Sequence, residues 1–170
     1  QQLLTSRNRI TALQGYAGTA KTTTVLATFA REAEAQSVPV VALAPTASAA
    51  MVLGEALGAR SDTVARHLLS PERPNQGQPA AWIVDEASLL SARDTARLFD
   101  LAEKQNARVI LVGDVKQLGS VEAGAAFAQL QGAGMETAKL GEIVRQTNAA
   151  TKDAVLASIE GDARKALSLI

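Results

Sequence analysis

Gly15-Tyr16-Ala17-Gly18-Thr19-Ala20-Lys21-Thr22 separates a short apolar run, Ile10–Gln14 (ITALQ), from a helical stretch at Thr22–Ala35. A glycine-bearing loop that leaves a strand and closes with Lys-Thr at a helix start is suited to hold phosphate. Its backbone N–H groups can curl round the anion, and the positive end of the helix dipole adds to the attraction. Lys21 is placed to reach the β- and γ-phosphates of a nucleotide, and Thr22 to set its hydroxyl on Mg²⁺. Gly15, Gly18, Thr19, Ala20, Lys21, Thr22 and Thr23 are therefore the expected nucleotide contacts, with ATP and Mg²⁺ the expected ligands. Ala20 stands where the pattern has glycine. A left-handed backbone there would cost alanine about 1–2 kcal/mol, an ordinary one little. A glycine-rich turn with a solvated lysine is the plainer alternative.

Working outward, apolar runs and helical stretches alternate. Val38–Ala44 (VPVVALA) is a second strand candidate, whose proline suggests a sheet edge or a strand start. Ala47–Leu57 reads as a helix, Ala81–Val84 (AWIV) as a strand, and Arg108–Val112 (RVILV) as another. Ser91 can cap a helix running through Lys104, with Asp94 in its first turn. The tail from Asn148 to Ile170 looks helical, broken near Gly161, and Ser70–Pro79 (SPERPNQGQP) looks like an exposed insertion. Strands alternating with helices imply an α/β fold in which a parallel sheet is covered by helices on both faces. The strands at Ile10–Gln14, Ala81–Val84 and Arg108–Val112 are expected at its centre, their carboxyl ends directed at Gly18.

Two of those strands end in further polar groups. Trp82-Ile83-Val84 runs into Asp85-Glu86-Ala87-Ser88. In a parallel sheet the carboxyl ends face the ligand crevice. Asp85 can then hold Mg²⁺, and Glu86 can polarise an attacking water as general base. Val109-Ile110-Leu111-Val112 runs into Gly113-Asp114-Val115-Lys116-Gln117-Leu118. Gly113 suggests a sharp turn made possible by a free backbone, and the Gln117 amide, both donor and acceptor, suits sensing a γ-phosphate. Downstream, Arg145 in Leu140–Gln146 (LGEIVRQ) can set a planar cation on developing phosphate charge. Each motif alone has a bland counterpart: an acidic turn, a polar turn, a surface arginine. Three motifs following three strands in order tell against coincidence.

Composition bounds the rest. The 170 residues suit one domain, 47% are apolar, aromatics are scarce, and the formal net charge is zero. A strongly basic surface is thus excluded, though a local basic groove is not. Without cysteine there is no disulfide framework and no thiolate metal site. No run is long enough to span a membrane and the start has no signal-peptide character, so a cytoplasmic protein without membrane contact is expected. The chain begins with Gln1, as expected of a piece of something larger.

The ordered set GYAGTAKT, APT (Ala44–Thr46), DEAS (Asp85–Ser88), GDVKQL (Gly113–Leu118) and IVRQ (Ile143–Gln146) resembles the first RecA-like domain of superfamily 1 DNA helicases of the RecD-like type. It is most similar to the helicase region of TraI/TrwC-like conjugative relaxases, in Gln14–Gly18, in Leu43–Thr46, and in the pattern GDxxQLxxVxxGxxF from Gly113 through Val121 and Gly124 to Phe127. The resemblance implies a RecA-like P-loop NTPase fold over residues 1–170 and a motor that couples Mg-ATP hydrolysis to movement on single-stranded DNA, in plasmid conjugation. It implies catalytic roles for Lys21, Asp85, Glu86, Gln117 and Arg145, metal binding by Thr22 and Asp85, and DNA contacts from Pro45, Thr46, Thr63 and His67. The implied partners are single-stranded DNA, a second RecA-like domain of the same polypeptide that completes the ATP site, and a relaxase domain in the same chain. Rival readings are a RecD-like recombination or repair helicase, an AAA+ ATPase suggested by Ala20, and a degenerate module that holds single-stranded DNA without hydrolysis.

Overall fold

The computed structural model describes residues 8–14, 20–69, 79–114 and 125–139. Along the chain run β1 (Ile10–Gln14), α1 (Ala20–Ala35), β2 (Val40–Ala44), α2 (Ala47–Leu57), β3 (Arg60–Thr63), α3 (Val64–Leu69), β4 (Ala80–Val84), a 3-10 turn (Ala87–Leu89), α4 (Ala92–Lys104), β5 (Ala107–Gly113), α5 (Ala125–Gly132) and β6 (Thr137–Lys139). Lys139 apart, these elements belong to the compact unit Gln1–Ala138.

The strands form one six-stranded sheet in the order β3-β2-β4-β5-β1-β6. The ladders β2–β3, β2–β4, β4–β5 and β1–β5 are all parallel. β4, β5 and β1 thus lie side by side in the middle, as the apolar runs predict. Every residue of β4 is buried, and so is every residue of β5 except Arg108. That is the pattern of strands covered on both faces. Trp82, Val84, Val109 and Leu111 share a core with Val64 of α3, Leu98 and Ala102 of α4, and Phe127 of α5. The residues between them, Ile83 and Ile110, are equally buried. α1 and α2 pack on β2 and on each other. Helices therefore lie on both faces of the sheet, and the fold is that of a RecA-like P-loop domain.

Local chemistry sets the boundaries. The helix expected from Thr22 starts two residues earlier, at Ala20. Because Ala20 opens a right-handed helix, the strain contemplated for a left-handed alanine does not arise there. α2 begins under its N-cap Thr46, whose hydroxyl accepts from the Ala49 N–H, and ends on left-handed Gly58 (φ 62°). Ser91 caps α4 as expected, accepting from the Asp94 N–H at 3.0 Å and donating to the Asp94 carboxylate at 2.9 Å.

The second strand starts at Val40, not Val38. Pro39 has no N–H for the ladder, so it stands just outside, its carbonyl accepting from Ala81 at 2.9 Å. Of the two meanings of that proline, strand start holds, since β2 is an inner strand. β3 and β6 had no counterpart in the sequence reading. Both sit at sheet edges, where Arg60-Ser61-Asp62-Thr63 and Thr137-Ala138-Lys139 need no continuous apolar run. The helical tail from Asn148 and nearly all of the Ser70–Pro79 insertion lie outside the described residues.

Candidate nucleotide and nucleic-acid site

Parallel pairing aligns the carboxyl ends of three central strands. Gln14 of β1 is level with Gly113 of β5, and Val84 of β4 with Leu111. The junction from β1 to α1, the Asp85-Glu86 pair and the Gly113-Asp114 pair therefore emerge at one edge of the sheet. Lys21, Thr22 and Thr23 fall in the first turn of α1. Gly15, Gly18, Thr19, Gln117 and Arg145 lie outside the described residues.

Asp85 continues the β2–β4 ladder by one step, its N–H donating to Leu43 at 2.9 Å. Its carboxylate accepts from the Glu86 N–H at 2.8 Å. Burial pushes the Asp85 carboxyl above its ordinary range, and that hydrogen bond only partly opposes the shift. A carboxylate that has lost water and gained one N–H is suited to meet a cation. Among the described residues no cluster of three or more His, Asp or Glu forms a metal cage. The chemistry of the Asp85 carboxylate itself is what fits Mg²⁺, an ion commonly held by one or two carboxylates together with phosphate oxygens and water. Asp85 would meet the ion at the β4 end, and β5 separates that end from β1, the strand that precedes the first turn of α1 with Thr22.

Glu86 adopts a left-handed backbone, φ 50° and ψ 34°. A non-glycine residue there carries strain of about 1–2 kcal/mol, which persists only when its surroundings enforce it. Both its backbone groups are committed, the N–H to Asp85 and the carbonyl to the Leu89 N–H at 2.9 Å. Ala87 and Ser88 then turn inward and are buried. Gly113 does not use the left-handed freedom of glycine, since among the described glycines only Gly58 and Gly134 have positive φ. Its small size serves a close approach there. A Cβ at Gly113 would lie 3.2 Å from the Ser88 nitrogen and 3.4 Å from Cε1 of Phe127. Asp114, given no role from the sequence, is 5% exposed beside them.

The second group of expected residues gathers one strand further out. Ala44 pairs with Thr63, so Pro45-Thr46 and Thr63 leave the same edge from adjacent strands. Each threonine caps a helix: Thr46 caps α2, and the Thr63 hydroxyl accepts from the Arg66 N–H at 3.2 Å at the start of α3. Thr46 is exposed and Pro45 and Thr63 partly so. His67 does not join them. It is 4% exposed and packs edge-on to Trp82, with ring centroids 4.6 Å apart. Its Nε2 is buried without a hydrogen-bond partner, and burial holds its pKa below the usual histidine value. The side chain serves core packing, the commoner role for a lone histidine.

A parallel sheet with helices on both faces, whose adjacent central strands bring a strand-to-helix junction, an Asp-Glu pair and a Gly-Asp pair to one edge, defines a P-loop nucleotide-binding domain. The chain belongs to the AAA domain family, whose model matches residues 1–170. It is similar to the conjugal transfer protein TraA of Rhizobium radiobacter, 36% identical over 94% of this chain and 14% of that protein. It is similar also to the ATP-dependent RecD2 DNA helicase of Deinococcus radiodurans, 38% identical over 91% of this chain and 22% of the relative. The multifunctional conjugation protein TraI of Escherichia coli K12 is 31% identical over 99% of this chain and 10% of its own length. The helicase resemblance carried by the motifs thus holds, and the chain spans about a tenth to a quarter of these relatives.

Proposed function

We propose that this chain is the ATP-binding motor domain of a DNA helicase, which couples Mg-ATP hydrolysis to translocation along single-stranded DNA during plasmid conjugation. The observation that carries the reading is the convergence of the β1, β4 and β5 ends at one edge, with the Pro45–Thr46 and Thr63 ends beside them. In this reading Gly15 to Thr23 wrap the phosphates, Lys21 neutralises the β- and γ-phosphates, and Thr22 and Asp85 hold Mg²⁺. Glu86 takes the proton of the attacking water, Gln117 senses the γ-phosphate, and Arg145 stabilises its developing charge. Pro45, Thr46 and Thr63 line one side of a DNA groove whose other side belongs to a second RecA-like domain.

That second domain also supplies a further cation to the ATP site. A supplied arginine of this kind is worth about 10³–10⁵ in rate, so the isolated chain binds ATP but turns it over very slowly. Titration calorimetry gives the first test: Lys21→Ala removes nucleotide binding, and equal affinity in both proteins would sink the reading. The second test is turnover by the complete protein with saturating Mg-ATP and single-stranded DNA. Glu86→Gln removes that turnover while sparing binding. If the complete protein is inactive, a module that holds DNA passively takes the motor's place. The similarity to an ATP-dependent RecD2 DNA helicase also supports a second reading, a RecD-like helicase. A relaxase domain in the complete protein decides for conjugation.

A further inference from the structure

The left-handed turn at Glu86 is strained, and the sequence contains no glycine or asparagine there to relieve it. Its own hydrogen bonds to Asp85 and Leu89 hold it in part, and packing from outside the turn can add to them. Two neighbours are placed to do so. The 3-10 turn that follows Glu86 packs on the end of β5 and on α5. At the point of contact β5 carries Gly113, whose missing side chain lets the Ser88 backbone nitrogen come within 3.2 Å of where a Cβ would be. α5 carries Phe127, 2% exposed, whose ring edge (Cε1 and Cζ) reaches to 3.4 and 3.5 Å of the same point. A methyl group at Gly113 would therefore be tight against the Ser88 nitrogen and in van der Waals contact with the Phe127 ring. Ala87 and Ser88, the two residues after Glu86, are the ones thereby buried.

We propose that Gly113 and Phe127 form a brace that clamps the Ala87-Ser88 backbone and so holds Glu86 in its left-handed conformation, making both of them positioning residues for hydrolysis. The inference rests on Glu86 acting as the base. It explains why a glycine and a phenylalanine stand at the two ends of the stretch Gly113–Phe127: the chain leaves β5 and returns fourteen residues later to pack on its own start. The brace acts on the direction of the Glu86 carboxylate, not on its charge or on nucleotide contacts. Its loss should therefore lower the rate of the chemical step without weakening nucleotide binding.

The test uses the complete protein. Gly113→Ala presses the clamp from one side and Phe127→Leu loosens it from the other, so either variant alone decides if the other fails to fold. Leu98→Val is the control, since Leu98 lies in the same core but on α4. Misplacing a catalytic group by about 1 Å can cost about 10²-fold. The expected result is a fall in kcat of about tenfold to a hundredfold for Gly113→Ala and Phe127→Leu, with KM for ATP and ADP affinity unchanged, while Leu98→Val loses thermal stability but keeps kcat. An active parent whose Gly113→Ala or Phe127→Leu variant keeps its kcat overturns the brace and leaves the motor reading standing. So does a Leu98→Val variant that loses kcat equally. A parent without ATPase activity overturns both.

Discussion

Replacing Gly54 by alanine puts a methyl group into the closest helix–strand approach among the described glycines. Gly54 lies in α2 and is buried against β3. An added Cβ would stand 2.6 Å from the Ser61 Cβ, 2.8 Å from its Oγ and 3.0 Å from the Ala59 carbonyl oxygen. Overpacking of this kind costs about 1–3 kcal/mol. The Ser61 Cβ and the carbonyl are fixed to the backbone and cannot rotate away, so the upper half of that range applies. Alanine returns about 0.8–1.0 kcal/mol through its better helix propensity. The net loss is then about 1–2 kcal/mol, and at about 2–4 °C per kcal/mol for a domain of this size, Tm falls by about 2–8 °C. Ser61→Gly removes two of the three close contacts, so a double-mutant cycle read by scanning calorimetry should show a favourable coupling of about 1 kcal/mol or more. A Gly54→Ala protein as stable as the parent, or a cycle with no coupling, would refute the account of α2 packed on β3.

Asp85→Asn should raise Tm at pH 7 without divalent cations and abolish Mg-nucleotide binding. The folded carboxyl pKa lies above its unfolded value of 3.8, so the stability it contributes is present below that pH and lost as pH rises; scanning fluorimetry showing a lower Tm for the variant would contradict this. His67 behaves in the opposite sense. Desolvation first, with Arg60 adding and Asp62 opposing, lowers its folded pKa below 6.5, so its contribution is complete above that pH and lost as pH falls through the folded value. Acid should therefore lower Tm more steeply in the parent than in His67→Phe, and parallel curves would rule that out. Glu86→Asn should raise folding stability by up to about 1 kcal/mol, because asparagine tolerates the left-handed region better, while ATP turnover is lost; a fall in Tm would mean that the turn is not strained.

The central strands were legible because their chemistry is local. Ala81–Val84 and Val109–Val112 are continuous apolar runs, the pattern of a doubly covered strand. α4 was legible through a residue that acts on its own backbone, Ser91, whereas the cap that Thr46 gives α2 emerged only in the structure. β3 was not, because an edge strand made of Arg, Ser, Asp and Thr has no apolar period and is held by its partner β2. Gly113 shows the same limit at the site. The sequence marks a glycine but cannot say whether it serves a dihedral angle or a close neighbour, and the neighbour here, Phe127, is fourteen residues away. His67 was placed on a DNA-facing segment by its motif. Its burial depends on the T-shaped contact with Trp82, which no spacing rule encodes.

The two capping threonines bear on how the proposed DNA groove can be dissected. A cap uses a lone pair of the hydroxyl oxygen, and Thr46 and Thr63 each spend one on a backbone N–H. The proton on the same oxygen is still available to a phosphate oxygen. Alanine removes both functions together, so an alanine scan would confuse a frayed helix start with a lost strand contact. Serine keeps cap and proton alike, whereas aspartate keeps the cap but presents a negative charge and no proton. If Thr46 and Thr63 do face phosphates, serine variants will bind single-stranded DNA as the parent does, and aspartate variants, with their helices intact, will not.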